Sequence, residues 1–333
     1  MKRLIIAIFA LMLAVSLAGC SIDSLGDYKK AAEKTEQIKR GQVSGEFTVI
    51  TDLNTDGMTE EQIKELNYFK DTKGSFSAAY DADASKGIFR YYLNFGGLGF
   101  DFDLFMNKEE VFMKLPVLGK YMRLDEMQAS MPKEQQEAFE AGLISKETQE
   151  DLNENWRGLL TKEDVFKGKD IVLTTPDGEV KTTEYTIKLN DEQIKSLAAD
   201  SIDIVSKDEK LKENYEKYIK KNVESLKDTS FEKLISDIKE NIKDYTVESF
   251  NYTAYVDIDG YIVNEAVEFA IKVEGAGAAG MKGFSYKLEL RNWDINKKQE
   301  FDFPVLTEEN TVDMGEMDQN MPFMMEDLFN NKD

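Results

Sequence analysis

Residues 250–290 read FNYTAYVDIDGYIVNEAVEFAIKVEGAGAAGMKGFSYKLEL, and the placement of their apolar side chains decides the fold class. Phe250, Tyr252, Ala254, Val256 and Ile258 alternate with polar residues, as do Val267, Phe269, Ile271 and Val273, and then Phe284, Tyr286, Leu288 and Leu290. A two-residue period gives each stretch one apolar face, which is the mark of a half-buried strand. Asp259-Gly260 supplies turn geometry after the first stretch, and Glu274 to Gly280 is a Gly/Ala loop after the second. Three long strands joined by such short connections pair antiparallel.

The same period recurs upstream. Val43/Gly45/Phe47/Val49, Phe76/Ala78/Tyr80, Ile88 to Phe95, Leu98/Phe100/Phe102/Leu104/Met106 and Val111/Met113/Leu115 read as closely spaced strands. Ile171 to Thr174 and Tyr185/Ile187/Leu189 form a hairpin across Thr175-Pro176-Asp177-Gly178. Helical spacing predicts a helix from Tyr28 to Arg40 closed by Gly41, a short one from Thr59 to Phe69, and a helical or irregular stretch from Pro132 to Leu160 anchored by Trp156. Asn190 to Gln193 and Ser206 to Glu209 offer capping boxes for two more helices, the second running through Leu211, Tyr215, Val223 and Leu226, with a further helix through Leu234 and Ile242. Helices with one apolar stripe need a surface to cover, and the sheet supplies it. The class is α+β, with a large antiparallel sheet and helices packed on its apolar face.

The chain opens with Met1-Lys2-Arg3 and an apolar run from Leu4 to Val15 that is short for a membrane span, the form of a secretory signal. Leu17-Ala18-Gly19-Cys20 resembles the bacterial lipobox, in which small residues before a Cys admit the signal peptidase and the Cys thiol receives a diacylglyceryl group. The expected organisation is a signal peptide over 1–19, a lipidated tether over 20–27, a single domain over 28–310 and an acidic, Met-rich disordered tail over 311–333. Acyl chains on Cys20 anchor the protein at the outer face of the cell membrane without any help from the domain.

The order of elements runs from a helix after the lipidated Cys through strands and helices to long strands ending in Asn292-Trp293-Asp294-Ile295-Asn296 and Phe301-Asp302-Phe303-Pro304. That order resembles the LolA-like lipoprotein superfamily, which includes LppX-type lipoproteins and many from Gram-positive bacteria. The resemblance implies a β half-barrel curled around helices on its concave face, with an apolar cavity that holds acyl chains. It also implies a second role known in the family, that of protein partner to a cell-envelope enzyme, and it transfers no catalytic residue. Phe100, Phe102, Leu104, Tyr252, Phe269, Phe284, Tyr286 and Leu288 share inward parity and are the candidate cavity wall. The same stripes serve equally to build a filled core.

Composition narrows the alternatives. With 64 Asp+Glu against 42 Lys+Arg the formal net charge is −22, and no basic cluster stands free of acidic neighbours, which argues against a nucleic-acid partner. Without His, and with one Cys, the chain has no imidazole base, His–nucleophile pair or internal disulfide. Asp52-Leu53-Asn54-Thr55-Asp56-Gly57 matches the front of a calcium loop, but Ile63 stands where a bidentate Glu is required, so an ordinary polar turn is expected. Met314, Met317, Met321, Met324 and Met325 suit Cu(I) only weakly without His or Cys. Asp101 and Asp103 alternate with Phe100 and Phe102 and so face outward. The reading is a non-catalytic protein with no metal or cofactor, binding an acyl chain or other apolar ligand. The alternatives are an interaction module and an ABC-type solute-binding lipoprotein, the latter expecting a two-lobed parallel architecture.

Overall fold

The structure, a computed structural model, describes residues 23–108, 110–116, 119–124, 144–220, 226–274 and 281–312. The leader, Cys20, the Gly/Ala loop, Val223 and the Met-rich stretch lie outside the described residues. The strands are β1 (Arg40–Leu53), β2 (Asp71–Asp81), β3 (Lys86–Phe95), β4 (Leu98–Asn107), β5 (Glu110–Lys114), β6 (Tyr121–Arg123), β7 (Val165–Thr175), β8 (Gly178–Ile187), β9 (Tyr245–Asp257), β10 (Ile262–Val273) and β11 (Met281–Trp293). They form one open sheet in the order β6-β5-β4-β3-β2-β1-β11-β10-β9-β8-β7, with every neighbouring pair antiparallel. Two meanders, β1–β6 and β7–β11, are joined by the pairing of β1 with β11. The class is the expected one, an α+β half-barrel.

The described α-helices are α1 (Ser24–Glu36), α2 (Glu60–Lys70), α3 (Lys146–Leu159), α4 (Asp191–Ser206), α5 (Glu209–Asn214), which continues as a π-turn over Tyr215–Ile219, and α6 (Phe231–Asn241), which ends in a 3-10 turn over Ile242–Asp244. α1 starts and stops four residues earlier than its apolar spacing predicts. The Asp23 side chain caps it by accepting from the Gly26 amide at 3.2 Å, and β1 claims the chain from Arg40 onward, so Gly41 is a strand residue and not a helix cap. α1 thereby reaches into the span expected to be a tether. The capping box at Asn190 is present, with Gln193 as its partner. The one expected at Ser206 is displaced to Asp208, because the Ser206 hydroxyl is spent on the Asp203 carbonyl within the end of α4.

α1 and α3 lie over the β7–β10 end of the inner face. Tyr28 and Ala31 of α1 bury against Tyr185, Ile187, Tyr252, Ala254 and Ile262, with Trp156 of α3 packed alongside. The Trp156 indole donates to the Tyr28 hydroxyl at 3.3 Å, and Arg157 forks onto Glu36 at 2.7 and 2.8 Å, tying the two helices together. This is a filled core.

The outer face carries a second core at the other end, on the β3–β6 strands. Ile88, Phe105 and Phe112 are buried there under Phe301, Phe303 and Leu306, and Phe105 stacks on Phe112 with centroids 5.0 Å apart. The segment that covers them then runs beside β6, where the Tyr121 amide donates to the Asn310 carbonyl and the Val312 amide to the Tyr121 carbonyl. Thr311 and Val312, read from sequence as the start of a tail, are thus held at the sheet edge.

At the β3–β4 turn, Gly96 adopts φ +55° with Tyr68 of α2 pressed against it: a Cβ there would sit 2.7 Å from the Tyr68 Cα. Both the left-handed backbone and the contact demand glycine. Gly96→Ala is expected to lower stability by about 2 kcal/mol in urea denaturation while leaving the far core intact.

Candidate functional site

Strand register sets the inner face in rows. One row crosses from Ala254 through Glu265, Leu290, Gly45, Phe76 and Tyr91 to Phe102. The next runs from Tyr252 through Val267, Leu288, Phe47, Gly74 and Leu93 to Phe100. All eight residues expected on the inner face lie on it. Tyr252 is only 7% exposed and belongs to the filled core, its ring edge-on to Tyr28 at 5.9 Å. The other seven are half-buried.

The middle of this face is shaped by two glycines, Gly45, which the alternation places in a strand, and Gly74, which lies just before the alternating stretch at Phe76. A Cβ on Gly45 would lie 2.3 Å from the Phe76 ring and 2.7 Å from a Leu290 methyl, and one on Gly74 would lie 2.4 Å from the Phe47 ring. The two rings therefore lie down over bare backbone on facing strands instead of standing off the sheet, the device by which an aromatic covers a strand glycine. Tyr91 stacks on Phe102 at 4.8 Å, Phe76 lies 6.4 Å from Tyr91, and Phe269 contacts Tyr286 at 5.3 Å and Phe284 at 5.7 Å. Phe47, Phe76, Tyr91, Phe102 and Leu288 are half-buried, and among the described residues they belong to neither core. The result is a low, apolar floor. Its far end opens at β4, where β5 pairs only as far as Asp103, and a hollow of about 390 Å³, lined in part by charged side chains, separates Gly99–Asp103 from Lys114, Leu115, Pro116 and Gly119. That volume is within the range of small-ligand sites.

The near end of the floor is polar, at a residue the sequence reading did not single out. Glu265 shares the parity of Val267 and Phe269, so the alternation itself marks it as inward-facing. Its Oε2 accepts from the Tyr252 hydroxyl at 2.5 Å. Burial pushes its carboxyl above the usual range, and the Tyr252 hydrogen bond recovers only part of that. Burial also pushes the Tyr252 hydroxyl far up, reinforced by the neighbouring Tyr28 and Glu265, and raises Tyr28.

The weaker constellations resolve into ordinary structure. Asn54 accepts the Asp56 amide at 3.4 Å in a polar turn. Asp101 is exposed on the outer face opposite Tyr92, and Asp103 lies there between Arg90 and Lys114. Among the described residues no three Asp, Glu, His or Cys side chains converge as a metal site would require.

No family model matches the chain, and no curated protein matches it. Among solved structures it is similar to lipovitellin, a structure described as showing lipid–protein interactions, at 10% identity and a TM-score of 0.22 over 81% of this chain and 26% of that one. It is also similar to a beta-barrel-like protein of a domain of unknown function from Brucella abortus, at 10% identity and a TM-score of 0.18 over 77% of this chain and 100% of that one. The chain spans about a quarter of the lipovitellin chain, and neither likeness bears on its activity.

Proposed function

We propose that the chain is a non-catalytic, LolA-like lipoprotein, anchored through Cys20 at the outer face of the cell membrane, that binds an acyl chain or similar apolar ligand on the inner face of its half-barrel. The observation that carries this reading is the floor between the two cores, where Phe47 and Phe76 are laid flat over Gly74 and Gly45. A filled core gains from rings that stand up and interdigitate, whereas rings pressed to the backbone leave apolar surface for something else to cover.

The mature chain carrying Cys20→Ser loses the anchor and nothing of the described fold. Native mass spectrometry of that protein, purified without detergent, is expected to show co-purifying lipid released on unfolding. A bare protein that also fails to bind an environment-sensitive apolar dye would sink the carrier reading and leave the interaction module. Separately, the exported full chain is expected to incorporate labelled palmitate and the Cys20→Ser chain to incorporate none, and equal labelling of the two would overturn the anchor.

A further inference from the structure

Between Ala254 and Phe102 the row that crosses the inner face through Leu290, Gly45, Phe76 and Tyr91 holds one charged residue, Glu265. A carboxyl beside Leu290 and Ala254 breaks the local rule of an apolar face, and burying one costs stability unless its oxygens are matched. Glu265 is half-buried, with one oxygen matched by the protein and the other not sealed from solvent. Oε2 takes the Tyr252 hydroxyl, while Oε1 has no partner among the described residues. The neighbouring polar groups are already committed, the Trp156 indole to the Tyr28 hydroxyl and the Tyr252 hydroxyl to Oε2. Glu265 is therefore an acceptor with one oxygen to spare, placed where an apolar floor begins.

We propose that Glu265 is the head-group anchor of this floor, accepting a hydrogen bond from the hydroxyl of a neutral, long-chain amphiphile whose tail lies along the row toward Phe102. The proposal rests on the apolar-ligand reading above and names the chemistry of the ligand. Five strand spacings separate Glu265 from Phe102, about 24 Å, which exceeds the roughly 15 Å half-thickness of a bilayer's hydrocarbon core and so accommodates a membrane acyl chain. The tail's end would lie against Phe102, short of the hollow that Asp101, Asp103 and Lys114 also line. An anionic head is disfavoured by Glu265 itself, by Glu36 acting on the adjacent Tyr28, and by a net charge of −22. A cationic head would have to be desolvated together with the carboxylate, a double penalty that a hydroxyl avoids.

The test displaces an apolar dye from the mature Cys20→Ser chain with three competitors of equal chain length: a 1-monoacylglycerol, a fatty acid and an alkylamine. The unaltered Glu265 protein is expected to prefer the monoacylglycerol to the fatty acid by about tenfold or more, the worth of one hydrogen bond to a buried carboxyl. Glu265→Leu is expected to erase that preference while keeping dye affinity within about twofold, since the floor is untouched. Glu265→Gln, nearly isosteric, guards against a fold defect and is expected to weaken the preference by about threefold. An equal preference in the unaltered and Leu proteins, or an alkylamine that binds tightest, overturns the head-group assignment while the groove stands. Loss of dye binding in the unaltered protein overturns the groove itself, so the two failures are distinct.

Discussion

Asp208→Ala is expected to lower the unfolding free energy by about 3 kcal/mol in urea denaturation at pH 7, because it strips partners from several buried donors at once. Asp208 is 5% exposed. Its Oδ1 takes the Lys210 and Leu211 amides at 3.0 Å each, which starts α5, and its Oδ2 takes the Ser145 amide at 2.8 Å, which fixes the N-cap of α3. One carboxylate thus joins the starts of two helices. Burial pushes its carboxyl upward, but hydrogen bonds from Thr148 and from the Ser145 and Leu211 amides overcome that and hold it down at about 2. A folded-state value below the unfolded one means the stabilisation is complete above about pH 4 and disappears as pH falls toward 2, a loss of about 2 kcal/mol from this group. Asp208→Asn keeps one acceptor oxygen and removes the titration, so its stability should vary less across that window. An unchanged acid limb in Asp208→Asn would show that another group dominates it.

Leu288→Glu is expected to weaken apolar-dye binding by about a hundredfold, with the far-ultraviolet circular dichroism unchanged. Leu288 lies between Phe47 of β1 and Val267 of β10, at the centre of the floor and half-buried. A carboxylate there places a charge where the ligand's chain must lie, and hydrating it requires keeping water on the floor. Lys287→Ala is the control of opposite parity. Lys287 points to the outer face and pairs with Glu268 at 2.7 Å with both groups well exposed, a pair worth little. It should leave dye binding unchanged. Equal losses in the two variants would mean that the dye does not read the inner face.

How much of this was legible follows from what alternation encodes. The period of two assigns each side chain a face, and for Phe100, Phe102, Leu104, Phe269, Phe284, Tyr286 and Leu288 it places all seven on the inner one. It does not say which strands neighbour each other: nothing in β1 announces β11 as its partner, because pairing over that distance is settled by tertiary packing. It is also blind where both faces are covered. Ile88-Phe89 and Leu104-Phe105 are adjacent apolar pairs, one member per face, and they signalled a second core that a one-faced reading absorbed into strand width. Glu265 is written in the same alternation as an acidic residue at inward parity, a signal that apolar stripes alone do not carry. The α1 boundaries failed for another reason, since apolar spacing locates a helix while its ends depend on caps such as Asp23 and on competition from the following strand.

The seam between β1 and β11 has a kinetic consequence. Ser44 pairs with Arg291, so the first long strand waits for the last before the two meanders become one sheet. Closure of so distant a pair is slow, and until it happens two greasy half-sheets expose unpaired edges at the same moment. Refolding should therefore show a late, rate-limiting phase that a substitution within the seam slows and one within the β7–β8 hairpin does not, with the greatest tendency to clump just before that step.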